Sequence, residues 1–301
     1  MGFLGRLFKR DSDEGTPYSE SEGSFDALLS AAENGDAESQ FSIGCAYHKG
    51  DGVQQSDVKA FEWFRKAAEN GDARARFNVG FMYCNGIGVQ QSYERAIIHY
   101  QKAVNMGDPD AQFNLANLYR EGKGVPKSDE RAAKLYMMAA AQDSPSALFN
   151  LGLMYQNGDG VPQSSEAAAK MYERAAELGH VHAQFNLGVM YLEGIGVEQS
   201  YKDAARMFVL ASEQGHVDSR INLGVMYDQG LGVTRSPENA ELCFLFAADA
   251  GDPVGQYNLA TMYEEGRGIR RSMKKAIKYY TLAANQGYGD AIISLERLRS
   301  Q

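Results

Sequence analysis

Six asparagines stand 36 residues apart, Asn78, Asn114, Asn150, Asn186, Asn222 and Asn258, and only Ser42 interrupts the column at its head. Each side-chain amide carries an acceptor oxygen and an NH2 donor, so a ladder of them at fixed pitch matches the peptide groups of an extended chain laid alongside. The same column has a second reading, in which the amides bond the neighbouring repeat and hold a stack together. Asparagine is mildly unfavourable in mid-helix, so its recurrence asks for one reason or the other.

Three residues further on runs a largely apolar column, Cys45, Phe81, Asn117, Leu153, Val189, Val225 and Thr261, of which Phe81, Leu153, Val189 and Val225 are the expected anchors for apolar side chains. The flanking columns carry Glu38, Asp110, Glu121, Glu193, Asp218 and Glu265 against Lys49 and Arg74. That balance suits a neutral or basic peptide with apolar anchors, the charges supplying steering.

Other residue groups promise less chemistry. His180, His182 and His216 cluster near repeat turns, yet a metal site needs further ligands and closed geometry. Gly-x-Gly loops such as Gly158–Gly160 resemble phosphate-cradling turns, but without a preceding strand they read as helix connectors. Met82, Met154, Met190, Met226 and Met262 share one column as core gap-fillers, and Trp63 is expected to pack likewise. No nucleophile can be grouped with a base and an orienting acid. The reading is therefore non-enzymatic, without cofactor or metal.

The elements that position these columns follow from the same step of 36. Turn positions Gly35, Gly71, Gly107, Asp143, Gly179, Gly215, Gly251 and Gly287 keep it, as do Tyr47, Tyr83, Tyr119, Tyr155, Tyr191, Tyr227 and Tyr263. No insertion breaks the count from residue 24 to 299, which leaves no room for a catalytic domain. A unit of this length cannot bury its apolar face alone and must stack on its neighbours.

Within residues 73–107, apolar or small residues at Ala75, Val79, Gly80, Met82 and Tyr83 follow the spacing of an amphipathic front helix. Ser92 and its equivalents, Ser56, Ser128, Ser164, Ser200, Ser236 and Ser272, are the expected N-caps of back helices, each ending at the next glycine. With a leading back helix at 24–33 and a trailing front helix at 290–299, sixteen helices are predicted. Asp143, followed by Pro145, is the weak seam: keeping the left-handed turn that glycine adopts elsewhere costs ~1 kcal/mol, and a local bend is the alternative.

The run Ala60, Trp63, Phe64, Lys66, Ala67, Ala68, Gly71, then Ala75, Phe77, Val79, Gly80, Tyr83, Gly86, Gly88 and Val89, resembles the Sel-one-like repeat, a relative of the tetratricopeptide repeat, and the likeness extends over residues 24–299. The resemblance implies an all-α, right-handed α-solenoid of stacked antiparallel helix pairs, with front helices on the concave side, acting as an adaptor or scaffold for protein partners. It also implies that the asparagine column contacts peptide backbone. The paired cysteines of the family's secreted branch are missing, which argues against an extracellular role.

Composition agrees with this assignment. The 301 residues carry a formal net charge of −9, which disfavours nucleic acid as a partner of the whole body. Cys45, Cys84 and Cys243 fall in three different columns and suggest a reduced, cytoplasmic protein.

Two regions break the pattern. Residues 1–23 form an arm in which Phe3, Leu4, Leu7 and Phe8 oppose Arg6, Lys9 and Arg10, followed by a polar linker, and residues 24–301 form the solenoid. The arm is expected to be a cap or tail, the alternative being weak membrane-surface contact through residues 3–10. The last repeat bears a basic patch, Arg270, Arg271, Lys274, Lys275 and Lys278, where helix starts elsewhere are acidic. Arm and patch together suggest the rival function, a regulatory subunit recruited to a membrane-associated enzyme or complex.

Overall fold

A computed structural model describes residues 22–300, with side chains from Phe25 onward. The arm, its contact with any membrane and most of its boundary with the solenoid lie outside the described residues. Among the described residues there are sixteen helices and no strand. Back helices are α1 (Glu22–Glu33), α3 (Asp57–Glu69), α5 (Tyr93–Asn105), α7 (Asp129–Ala140), α9 (Ser165–Glu177), α11 (Tyr201–Glu213), α13 (Pro237–Asp249) and α15 (Met273–Asn285). Front helices are α2 (Ala37–Lys49), α4 (Ala73–Asn85), α6 (Pro109–Glu121), α8 (Pro145–Asn157), α10 (Val181–Glu193), α12 (Val217–Gln229), α14 (Pro253–Glu265) and α16 (Gly289–Arg299).

The chain is an all-α solenoid in two compact units. One reaches to Ala147 and includes Asp159–Pro162; the other comprises Leu148–Gly158 and the chain from Gln163. No helix of the described residues is long and apolar enough to cross a membrane.

Local chemistry places the helix ends. Every back-helix serine named above accepts a hydrogen bond from the backbone N–H three residues on, 3.1 Å for Ser164 with Ala167. That bond satisfies one of the donors a helix start leaves orphaned. The serine N–H in turn donates to the carbonyl of the preceding column tyrosine, as Ser200 does to Tyr191 at 2.9 Å. Asp143 holds φ 57°, so the left-handed turn persists there despite the side chain.

The core runs in columns of the same period. Ile43, Val79, Leu115, Leu151, Leu187, Leu223 and Leu259 are buried, as are the five column methionines. Gly188 shows why the position beside them stays small: a Cβ there would stand 2.7 Å from the Phe208 ring. Trp63 departs from expectation. It is only half-buried, with the Lys66 ammonium 3.9 Å from its ring centroid, an arrangement suited to a cation resting on an indole face.

Stacking also uses a device that runs on alternate repeats. Gln40, Gln112, Gln184 and Gln256 are buried on front helices, 72 residues apart. Each accepts from the amide of Asn70, Gln142, Gln214 or Gln286 at the end of the following back helix, at 2.8–3.0 Å. Gln40 and Gln184 also donate to Ala32 and Ala176 carbonyls of the preceding back helix. One amide thus bridges three helices, and because it is buried its partners are obligatory. In the intervening repeat of the second unit, Arg220 takes over, donating to the Ser212 carbonyl at 3.2 Å.

Candidate functional site

The asparagine column is carried on the front helices, where the i, i+4 spacing of residues such as Asp110 and Asn114 puts successive side chains on one face. Asn114, Asn150, Asn186, Asn222 and Asn258 are half-buried. Asn114 Nδ2 donates to the Asp110 carbonyl one turn back in its own helix, at 2.7 Å. Asn78 differs: it is 2% exposed and its Nδ2 has no hydrogen-bond partner, so its amide is not presented to solvent as its equivalents are.

The neighbouring apolar column is similarly graded. Phe81 is buried and tilts against Phe77 at 6.3 Å, while Leu153, Val189 and Val225 are half-buried. In the last front helix the equivalent position is Arg297, whose guanidinium makes two bonds to the Glu264 carboxylate at 2.7 and 2.8 Å.

A cavity of about 270 Å³ opens in the second unit beside this column. Asn186, Val189, Met190, Phe185 and Glu193 line it from α10, with Gln156 of α8, Ser165 of α9 and the loop residue Ile195. Gln156 Oε1 accepts from the Tyr172 hydroxyl at 2.8 Å, and burial pushes that hydroxyl up to about 12. The cavity therefore unites Asn186 and Val189, two of the predicted peptide-contacting residues, with one acid of the flanking column.

The three histidines do come together, on aromatic faces. His180 stacks on Phe149 at 4.6 Å, His216 tilts on Phe185 at 4.8 Å, and His182 lies 6.0 and 5.4 Å from the two of them. Among the described residues no group of three or more His, Cys, Asp or Glu is placed to hold a metal. His180 and His216 serve instead as N-caps of α10 and α12, their Nδ1 atoms accepting from the Ala183 and Ser219 amides at 3.3 and 3.2 Å. They stand in the column where Asp36, Asp72, Asp108 and Asp252 cap other front helices, and that column was the signal sequence reasoning passed over.

The basic patch divides. Arg271 Nε donates to the Glu264 carbonyl at 2.8 Å, the task that Gln199 performs on the Leu192 carbonyl. Lys275 donates to the Tyr263 hydroxyl at 3.0 Å and lies over that ring, and Lys278 lies over Tyr279. All five side chains are exposed.

Comparison with known proteins agrees with the geometry. The Sel1 repeat is matched seven times without a gap, at residues 37–72, 73–108, 109–144, 145–180, 181–216, 217–252 and 253–288. Among solved structures, c5321, described as a protective antigen present in uropathogenic Escherichia coli strains and displaying an SLR fold, is 34% identical with a TM-score of 0.86. The match covers 89% of this chain and 57% of c5321, so the chain spans less than two thirds of that relative. A Sel1 repeat protein from Oxalobacter formigenes is 30% identical with a TM-score of 0.70, over 92% of this chain and 80% of the other. No curated protein matches. Seven contiguous repeats over most of the described chain, on a fold shared with these structures, make the protein a member of the Sel1 repeat family.

Proposed function

We propose that the chain is a non-enzymatic interaction scaffold that holds an extended segment of a partner polypeptide against its front helices. Sel1 repeats in general build interaction scaffolds without catalytic machinery, and the front-helix columns narrow that role. The observation that carries the reading is a division of labour between two amide columns. The buried glutamines bond between helices on alternate repeats, while five asparagines, one in every repeat from Asn114 on, are half-buried beside an apolar column. Asn186 also reaches the Tyr172 hydroxyl of the preceding helix, but the partly exposed amides keep capacity for a further bond, and recognition of a peptide backbone would use it. A neutral or basic segment fits the acid-rich flanks, with Arg74 already drawn to Glu38 and Asp72.

Replacing Asn150, Asn186 and Asn222 with alanine together tests this within one unit. Each replacement is expected to weaken the partner about fivefold, of the order of one hydrogen bond, while the helices gain slightly in propensity. The measurement is quantitative affinity purification from the native cell beside a melting curve. An unchanged set and yield of partners with an unchanged melting temperature would sink the proposal. Recruitment to a membrane complex through the basic repeat has less to stand on, because Arg271 and Lys275 already have partners inside the repeat.

A further inference from the structure

Acids on the C-terminal column of the front helices are paired with a cation of their own repeat, with one exception. Glu121 pairs with Lys123 at 2.7 Å and Glu265 with Arg267 at 2.6 Å, in each case a cation two residues on. Glu193 has Ile195 at that position. The carboxylate lies at the mouth of the cavity formed by Phe185, Val189, Met190 and Ile195, and no side chain lining that cavity is basic. Asn186 and Gln156 supply the other polar groups.

We infer that this cavity is a socket for one basic side chain of the partner polypeptide, a lysine whose aliphatic stem lies on Val189, Met190 and Ile195 and whose ammonium reaches Glu193. The inference deepens the scaffold reading and rests on it for the nature of the partner. Three features of the site converge on this occupant. An apolar wall beside a single anion fits a residue that buries its methylenes and keeps its charge at the rim. The ammonium has three hydrogens to donate, and carboxylate and amide oxygens stand at the same mouth. At about 270 Å³ the cavity falls below the roughly 300–1,000 Å³ of small-molecule sites, as a receptacle for one side chain should.

The replacement of Lys123 and Arg267 by Ile195 serves two ends at once. It removes an internal competitor for the carboxylate and adds apolar surface for the incoming stem. Glu193 is thus left for the partner to pair, whereas Glu121 and Glu265 each already have a cation, the Arg267 guanidinium being shared with Asp228.

The test uses the full chain carrying 13C-methyl methionine, with the Met190 signal assigned from the Met190→Leu variant. The probes are N-acetyl-lysine methylamide and its uncharged counterpart, N-acetyl-norleucine methylamide. The lysine probe is expected to shift the Met190 methyl saturably, about fivefold more tightly than the norleucine probe. Glu193→Gln should bring the lysine probe down to the norleucine level and leave norleucine unaffected; Glu193 is exposed, so the variant should melt as the wild type does. Equal binding of the two probes, a lysine response that survives Glu193→Gln, or no saturable shift with either probe would each overturn the socket. None of those results decides the asparagine triple variant, which judges the scaffold reading by partner yield and melting temperature rather than by lysine binding.

Discussion

Gly196→Ala is expected to destabilise the protein by about 3–4 kcal/mol, and Gly179→Ala in the same unit by only ~1 kcal/mol. The two glycines share a left-handed backbone, with φ of +70° and +82°, so the conformational cost of adding a Cβ is similar at both. What differs is the space. A Cβ at Gly179 meets nothing within 4 Å, whereas at Gly196 it would stand 2.4 Å from the backbone carbon and oxygen of Ser165 and 2.9 Å from the Glu166 nitrogen. Those atoms begin α9 and cannot rotate away as a side chain would. The helix start or the loop must move, and each costs packing at close density.

At roughly 2–4 °C per kcal/mol for a chain of this order of size, the Gly179 variant should lose a few degrees and the Gly196 variant about ten. Solenoid units need not melt together, so hydrogen exchange over α9 should accompany the thermal curve. Equal losses at the two sites would show that the loop yields freely and that the contact with Ser165 holds nothing in place. The consequence reaches the candidate site, because Ser165 and Ile195 both line the cavity. A displaced loop should therefore weaken the Met190 response to the lysine probe even where the fold survives.

The contrast between these glycines marks how far the sequence could be read. A repeat presents each position up to eight times, so features repeated in every unit stand out from any one unit's irregularities. The serine caps, the methionine column and sixteen helices were all legible for that reason. Two kinds of feature were not. Averaging over 36 residues hides anything that alternates, and the glutamine clasp recurs every 72, with arginine or leucine between. Averaging also hides what one repeat does alone. Glu193 looked like one acid among six until Ile195 was seen in place of a cation, and His180 and His216 looked like odd residues rather than aspartate substitutes at a cap. Trp63 shares its column with the buried Leu135, Met207 and Cys243, so its partial exposure is a feature of one repeat that the column conceals.

Those two caps should make the second unit sensitive to acid. With Nδ1 accepting from a backbone amide, each neutral ring carries its hydrogen on Nε2, and protonating Nδ1 abolishes the cap. Burial first, then the neighbouring His182, holds His180 down to about 4. His216 is lowered too, chiefly by burial, with Asp218 opposing and His182 assisting. A helix N-terminus adds its own preference against a cation. The unfolded chain takes up protons near 6.5, and His180 takes one up only near 4 when folded, so the unfolded state binds more protons in between. The stabilisation from neutral His180 is therefore full above about 6.5 and is lost as pH falls toward 4. Exposure of the ring discounts the shift to roughly 1–2 kcal/mol.

Asp108 works the other way. Burial pushes its carboxyl up to about 6, so acidification relieves a cost in the first unit over the same interval. A wild-type melting curve alone mixes the two effects. The informative comparison is His180→Asn with His216→Asn, which keeps an N-cap acceptor at both helices but removes the titration, leaving Asp108 common to both proteins. Between pH 7 and pH 4.5 the wild type should lose several degrees more than the double variant, with hydrogen exchange rising first at the starts of α10 and α12. If the two proteins show the same pH slope, the histidine caps do not govern acid stability, and their stacking on Phe149 and Phe185 must hold both helix starts whatever the charge.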